Sequence, residues 1–107
     1  MTTYNFPDHI GGDTFKAREI TFGFDLTGAK IDMQFKSIKG GGVAFSWSTV
    51  DDTFSITDPV NGVILMKSRI LDERKDGYIY DLQIVNSNQD VQTYFGGRIN
   101  ITQGITK

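Results

Sequence analysis

Few residues in this chain are of the types that perform chemistry, and their spacing gives a reaction little to work with. His9 is the one histidine and cysteine is absent, so His9 has neither a second His nor a Cys to share a metal or a proton with. It lies in the polar N-terminal stretch Met1 to His9 and is expected to be a solvated loop residue. Serines occur, but no base stands in a pattern that would make a nucleophilic triad. Asp72 to Gln83 begins with the Asp and the sixth-position Gly (Gly77) of a calcium loop. Arg74 falls on its third ligand position and Gln83 on its last, where a carboxylate is required, so that match fails. Asp51-Asp52 is a turn pair of the kind that faces water, with a hard cation as the competing use. Gly40-Gly41-Gly42 lacks the Lys-Ser/Thr of a phosphate loop and leads into a strand pattern. Asn100-Ile101-Thr102 has the form of a glycosylation sequon on a strand. No catalytic residue, metal ligand or cofactor site is expected, and the chain is expected not to be an enzyme.

The 107 residues carry 38% apolar and 12% aromatic side chains, enough for one compact core and no second one. Without cysteine, packing alone must hold that core, and nothing indicates an oxidising compartment. The net charge of −2, with Lys and Arg scattered among acids, argues against a nucleic-acid partner. The N-terminus has no basic region followed by an apolar one, so no signal peptide is expected. No apolar run approaches the ~20 residues of a membrane helix, so no membrane partner is expected either.

Period-two alternation dominates the chain. Ala29, Ile31, Met33 and Phe35 alternate with Lys30, Asp32, Gln34 and Lys36, and Val43, Phe45 and Trp47 alternate with smaller residues. The glycines between them predict a hairpin. Phe15 and Ala17 are out of phase with Ile20, Phe22 and Phe24, which predicts a bulge near Arg18-Glu19. Phe54 and Ile56 mark a short strand, and Asp58 to Gly62 a turn. Val63 to Met66 is a continuous apolar run suited to a strand covered on both sides, and residues 70–75 break the pattern as one helical turn.

The clearest pair closes the chain. Tyr80, Leu82 and Ile84 share a face, residues 86–90 turn, and Val91, Thr93 and Phe95 return inward. A bulge is predicted at Gly96-Gly97 before Ile99 and Ile101 continue the strand. The fold class that follows is all-β, an immunoglobulin-like antiparallel β-sandwich of about seven strands. It forms a single domain over residues 1–107 with its core in about 12–106. In that fold Asp76-Gly77-Tyr78-Ile79-Tyr80 suits the corner before a late strand, with Tyr80 as the corner tyrosine bonding backbone upstream. Trp47 is in phase with Phe45 and is expected in the core. Tyr94 has the opposite parity to Phe95 and is expected outside, where it suits stacking on a sugar ring or packing on another subunit.

The succession of signals carries a resemblance. Gly12-Asp13-Thr14-Phe15 opens the first long strand, and Asp25 to Ala29 leads into the next. Ile56-Thr57-Asp58-Pro59 precedes Asn61-Gly62-Val63-Ile64, and Gly77 to Leu82 forms the corner. Asp90-Val91-Gln92-Thr93 then leads to Gly97-Arg98-Ile99, with Ile105-Thr106 closing the chain. From about Gly12 to Thr106 this order resembles the small immunoglobulin-like domains of phage and prophage tail regions, in particular the N-terminal domain of baseplate upper proteins. Those proteins continue into further domains, whereas this sequence stops just after the last strand.

The resemblance implies a structural or assembly module of a phage or prophage tail or baseplate, with no catalytic residue to transfer. Its partners would be other tail proteins or copies of itself. Its location would be the virion, or the bacterial cytoplasm as a prophage product. Alternation assigns the contact surface to the last two strands, with Asp81, Gln83, Gln92, Tyr94 and Arg98 as the candidate residues. A carbohydrate-binding β-sandwich with a glycan partner is the competing expectation, with Trp47 as its reporter.

Overall fold

The computed structural model describes residues 2–103, with the side chain of Thr2 excepted; Ile105-Thr106 lies outside them. The chain is all-β, with no helix among the described residues. The described residues form eleven strands: β1 (Thr2–Thr3), β2 (His9–Ile10), β3 (Thr14–Phe15), β4 (Arg18–Thr21), β5 (Lys30–Ser37), β6 (Val43–Ser48), β7 (Phe54–Asp58), β8 (Val63–Met66), β9 (Arg69–Ile70), β10 (Asp76–Val85) and β11 (Val91–Thr102). Seven of these have four residues or more.

The larger sheet runs β1-β11-β10-β5-β6, and β2 also joins β11. From β11 to β6 it is antiparallel, while β1 and β2 lie parallel to β11. The smaller sheet runs β4-β8-β7, and β3-β9 forms its own short ladder. The two main sheets give a β-sandwich-like arrangement. One cluster of buried side chains draws on both sheets, with Met33, Phe35, Trp47 and Leu82 from the first and Phe54, Ile64 and Met66 from the second. Alternation accounts for it: β10 buries Tyr78, Tyr80, Leu82 and Ile84 and exposes Ile79, Asp81 and Gln83 between them.

Several local expectations are replaced by different devices. The phase shift before Ile20 is a break at Lys16-Ala17, where the chain leaves the β3-β9 ladder for β4-β8, and no bulge forms at Arg18-Glu19. Trp47 sits opposite this break and donates its indole N–H to the Lys67 carbonyl at 2.9 Å, a group thereby bonded outside any ladder. In β8 only Ile64 and Met66 are fully buried, because Val63 and Leu65 face the thinly covered outer side. Residues 70–75 form no helical turn. Ile70 ends β9, and Leu71, 1% exposed, anchors an extended loop in the core.

The bulge of β11 falls at Tyr94, since Phe95 pairs with Leu82 while Thr93 pairs with Gln83. Gly96 and Gly97 stay in register, and Val91 and Thr93 are exposed rather than inward. Gly97 has another task. A Cβ there would lie 1.8 Å from the Tyr4 carbonyl oxygen, so its bare backbone lets the N-terminal segment lie against β11. Phe6 thereby enters the core, 7% exposed.

The corner before β10 is present with a different tyrosine. The Tyr78 hydroxyl donates to the Arg74 carbonyl at 2.7 Å, closing the local loop, whereas the Tyr80 hydroxyl donates to Tyr4 at 2.6 Å and secures the N-terminal segment. Asp76 locks the same corner. Its carboxylate, with a side chain 2% exposed, accepts from Ser37 Oγ at 2.6 Å and from the Gly77 N–H at 2.8 Å. The Ser37 bond above all, helped by the Gly77 amide and the nearby Lys39 and Arg74 cations, holds the carboxyl below its ordinary range.

Candidate docking groove

Between the β4 edge of the smaller sheet and the N-terminal edge of the larger one lies an open groove of about 620 Å³. It exists because no described strand pairs with the outer edge of β4. The N-terminal segment lies along β11 of the larger sheet instead. Which backbone groups are left open follows from the ladder. The Phe22 N–H donates to Gly62 and the Lys67 N–H to Thr53, so Arg18 and Ile20 bond toward β8 and the alternate residues Glu19 and Thr21 point their N–H and C=O groups outward.

The inner side of the groove is apolar with one cation. Ile20 packs against the core. Arg18 points the same way, its guanidinium 4.8 Å from the Phe6 ring centre and 5.0 Å from that of Phe15. It donates to the Tyr4 hydroxyl at 3.2 Å, while its Nε is buried without a hydrogen-bond partner among the described residues. Next to it burial, with the neighbouring Tyr4 adding and Arg18 opposing, raises the Tyr80 hydroxyl well above its ordinary value. The far end is aromatic: Phe24 stacks on Tyr94 at 5.1 Å and Phe22 meets Tyr94 edge-on at 5.9 Å.

The candidate surface expected from alternation therefore divides. Asp81, Gln83 and Arg98 do lie outward on β10 and β11, with Arg98 bonded to Asn100 at 3.2 Å. Tyr94 does not face outward. The bulge turns it to the groove end, half-buried, where its hydroxyl donates to Gln92 at 3.0 Å. Gln92 pairs with Ile84 and thus has inner parity, exposed only because the sandwich ends there.

Trp47 is in the core, 0% exposed, with the Arg69 guanidinium 3.9 Å from its ring centre, so it presents no face to a sugar. His9 is half-buried in β2 rather than in a free loop, with Nε2 3.1 Å from the Asp13 carbonyl oxygen. Asp51 accepts from the Thr53 amide and hydroxyl, and the hydroxyl bond chiefly lowers its pKa. No group of three His, Cys, Asp or Glu is placed to hold a metal ion among the described residues. Nor is any helix there long and apolar enough to cross a membrane.

Arg18, Ile20, Phe22 and the Tyr4–Phe6 pair were not singled out as site residues from sequence. A cation on the apolar parity of a strand was the available signal for Arg18, and the alternation of Tyr4 with Phe6 was that for the N-terminal segment. Searches against family models, curated proteins and solved structures found no match to this chain.

Proposed function

We propose that this chain is a non-enzymatic docking module of a phage or prophage tail or baseplate, assembling with copies of itself or with other tail proteins. The observation that carries the docking reading is the open β4 edge lying along an apolar groove. Outward N–H and C=O groups at Glu19 and Thr21 match an added strand, and half-exposed aromatics beside them offer area to bury. Phe24 is 37% exposed and Tyr4 45%. The outward side chains Asp81, Gln83 and Arg98 supply a second, polar contact face. The tail setting rests on the resemblance of the ordered strand and turn signals, and it places the chain in the virion or in the bacterial cytoplasm before assembly.

Fractionation of particles from the strain that encodes the chain tests this reading. The chain is expected to co-purify with tails through density separation, and Ile20→Asp on the groove is expected to reduce its incorporation. Recovery of the folded chain only in the particle-free fraction would overturn the tail reading.

A further inference from the structure

We infer that the partner on the β4 edge is the β4 edge of a second copy of this chain, joined antiparallel about a two-fold axis through Ile20. The inference rests on the docking reading and names its occupant. Glu19 and Thr21 carry the outward backbone groups and stand two positions apart. A two-fold at Ile20 sets each copy's Glu19 opposite the other's Thr21, and each such pair exchanges both main-chain bonds. Every outward backbone group of these two residues is then used. The result is one continuous sheet running β7-β8-β4 and back through β4-β8-β7 of the second copy, an isologous interface.

The neighbouring registers are worse for stated reasons. Centring on Glu19 sets two carboxylates directly opposite each other, which is destabilising. Centring on Thr21 pairs Glu19 with Gly23, whose φ of +78° departs from strand geometry. Centring on Ile20 opposes Ile20 with itself and places Arg18 across from the second copy's Phe22.

The side chains at Glu19 and Thr21 are exposed, so their charge can be changed without disturbing the core. Light scattering from micromolar to millimolar concentration, on wild type, Thr21→Lys and Thr21→Glu, reads the register. A monomer–dimer equilibrium is expected, tightest for Thr21→Lys and weakest for Thr21→Glu. Each step is about two- to thirty-fold in Kd, because two symmetry-related cross-strand pairs change at once. Gln34→Lys and Gln34→Glu, on the exposed side of β5, make the same net-charge changes away from the seam and are expected to leave Kd unchanged. A monomer at every concentration overturns the inference, as does a dimer that ignores charge at Thr21 or responds equally at Gln34. Failure in this assay is separable from failure of the tail reading, since a monomeric chain can still co-purify with tails.

Discussion

Replacing Gly97 with alanine should detach the N-terminal segment from the sandwich. The new methyl group would meet the Tyr4 carbonyl oxygen at 1.8 Å and its carbon at 2.6 Å, so the segment has to retreat by more than an ångström. Three hydrogen bonds to the backbone of Tyr4 and Phe6 depend on its position: Tyr4 N–H to Gly96 at 2.8 Å, Phe6 N–H to Arg98 at 2.9 Å and Tyr80 O–H to Tyr4 at 2.6 Å. Each is worth about 1 kcal/mol, and withdrawing the buried Phe6 ring costs about 1.5–3 kcal/mol more. Freed backbone entropy of about 1–2 kcal/mol per released residue returns part of this. With Tyr4 to Phe6 released, that entropy offsets most of the loss, and the expected net destabilisation is about 1–2 kcal/mol.

Urea unfolding followed by Trp47 fluorescence measures it, because the indole is fully buried in the folded chain. The midpoint is expected to fall by roughly 0.5–1 M. Gly42→Ala, where an added Cβ meets nothing within 4 Å, is expected to change stability by less than about 0.5 kcal/mol. Phe6→Ala completes a double-mutant cycle. If Gly97→Ala acts by expelling Phe6, the double variant is expected to be little worse than the worse single one. Additivity within about 0.5 kcal/mol, or no loss in Gly97→Ala alone, would refute the reasoning.

Tyr78→Phe and Tyr80→Phe should each cost about 1 kcal/mol, but only the second is expected to speed amide exchange at Tyr4 and Phe6, since only the Tyr80 hydroxyl holds that segment. Burial is the first cause that raises both phenols above their ordinary value. Their contribution is therefore complete below the unfolded value of about 10 and lost as pH rises beyond it, and Tyr80→Phe should show a shallower alkaline decline in melting temperature. Asp76 has the opposite sign. Its folded pKa is lowered, chiefly by the Ser37 bond, so its contribution is present above the ordinary carboxylate value and lost as pH falls below about 4. An acid titration of melting temperature should be less steep in Asp76→Asn and in Ser37→Ala than in wild type.

The sandwich was legible in the sequence where a strand has one dry face and one wet one. Ile31, Met33 and Phe35 on β5, and Tyr80, Leu82 and Ile84 on β10, are buried as their alternation requires. Legibility failed where a long-range contact overrides the local period. Tyr78, not Tyr80, closes the corner, because the N-terminal backbone lies within reach of Tyr80, and residues 76 positions apart leave no periodic trace. The two-glycine signal at Gly96-Gly97 suggested a bulge, but Gly97 serves close approach by another segment. The bulge sits at Tyr94, whose ring gains Phe22 and Phe24 by turning inward. The groove was hidden for the same reason. It arises from which sheet the N-terminal segment joins, a choice between two edges that alternation within either strand does not record.

The exposed β4 edge is most directly examined by amide hydrogen exchange at Glu19 and Thr21, compared with Ile20 and followed as the protein is concentrated. Ile20 donates toward β8 and is expected to be protected at every concentration. Glu19 and Thr21 are expected to exchange rapidly in dilute solution and to gain protection together as copies pair. Equal and strong protection of all three amides in the dilute monomer would mean that β4 is already covered, and the account of an open docking edge would be contradicted.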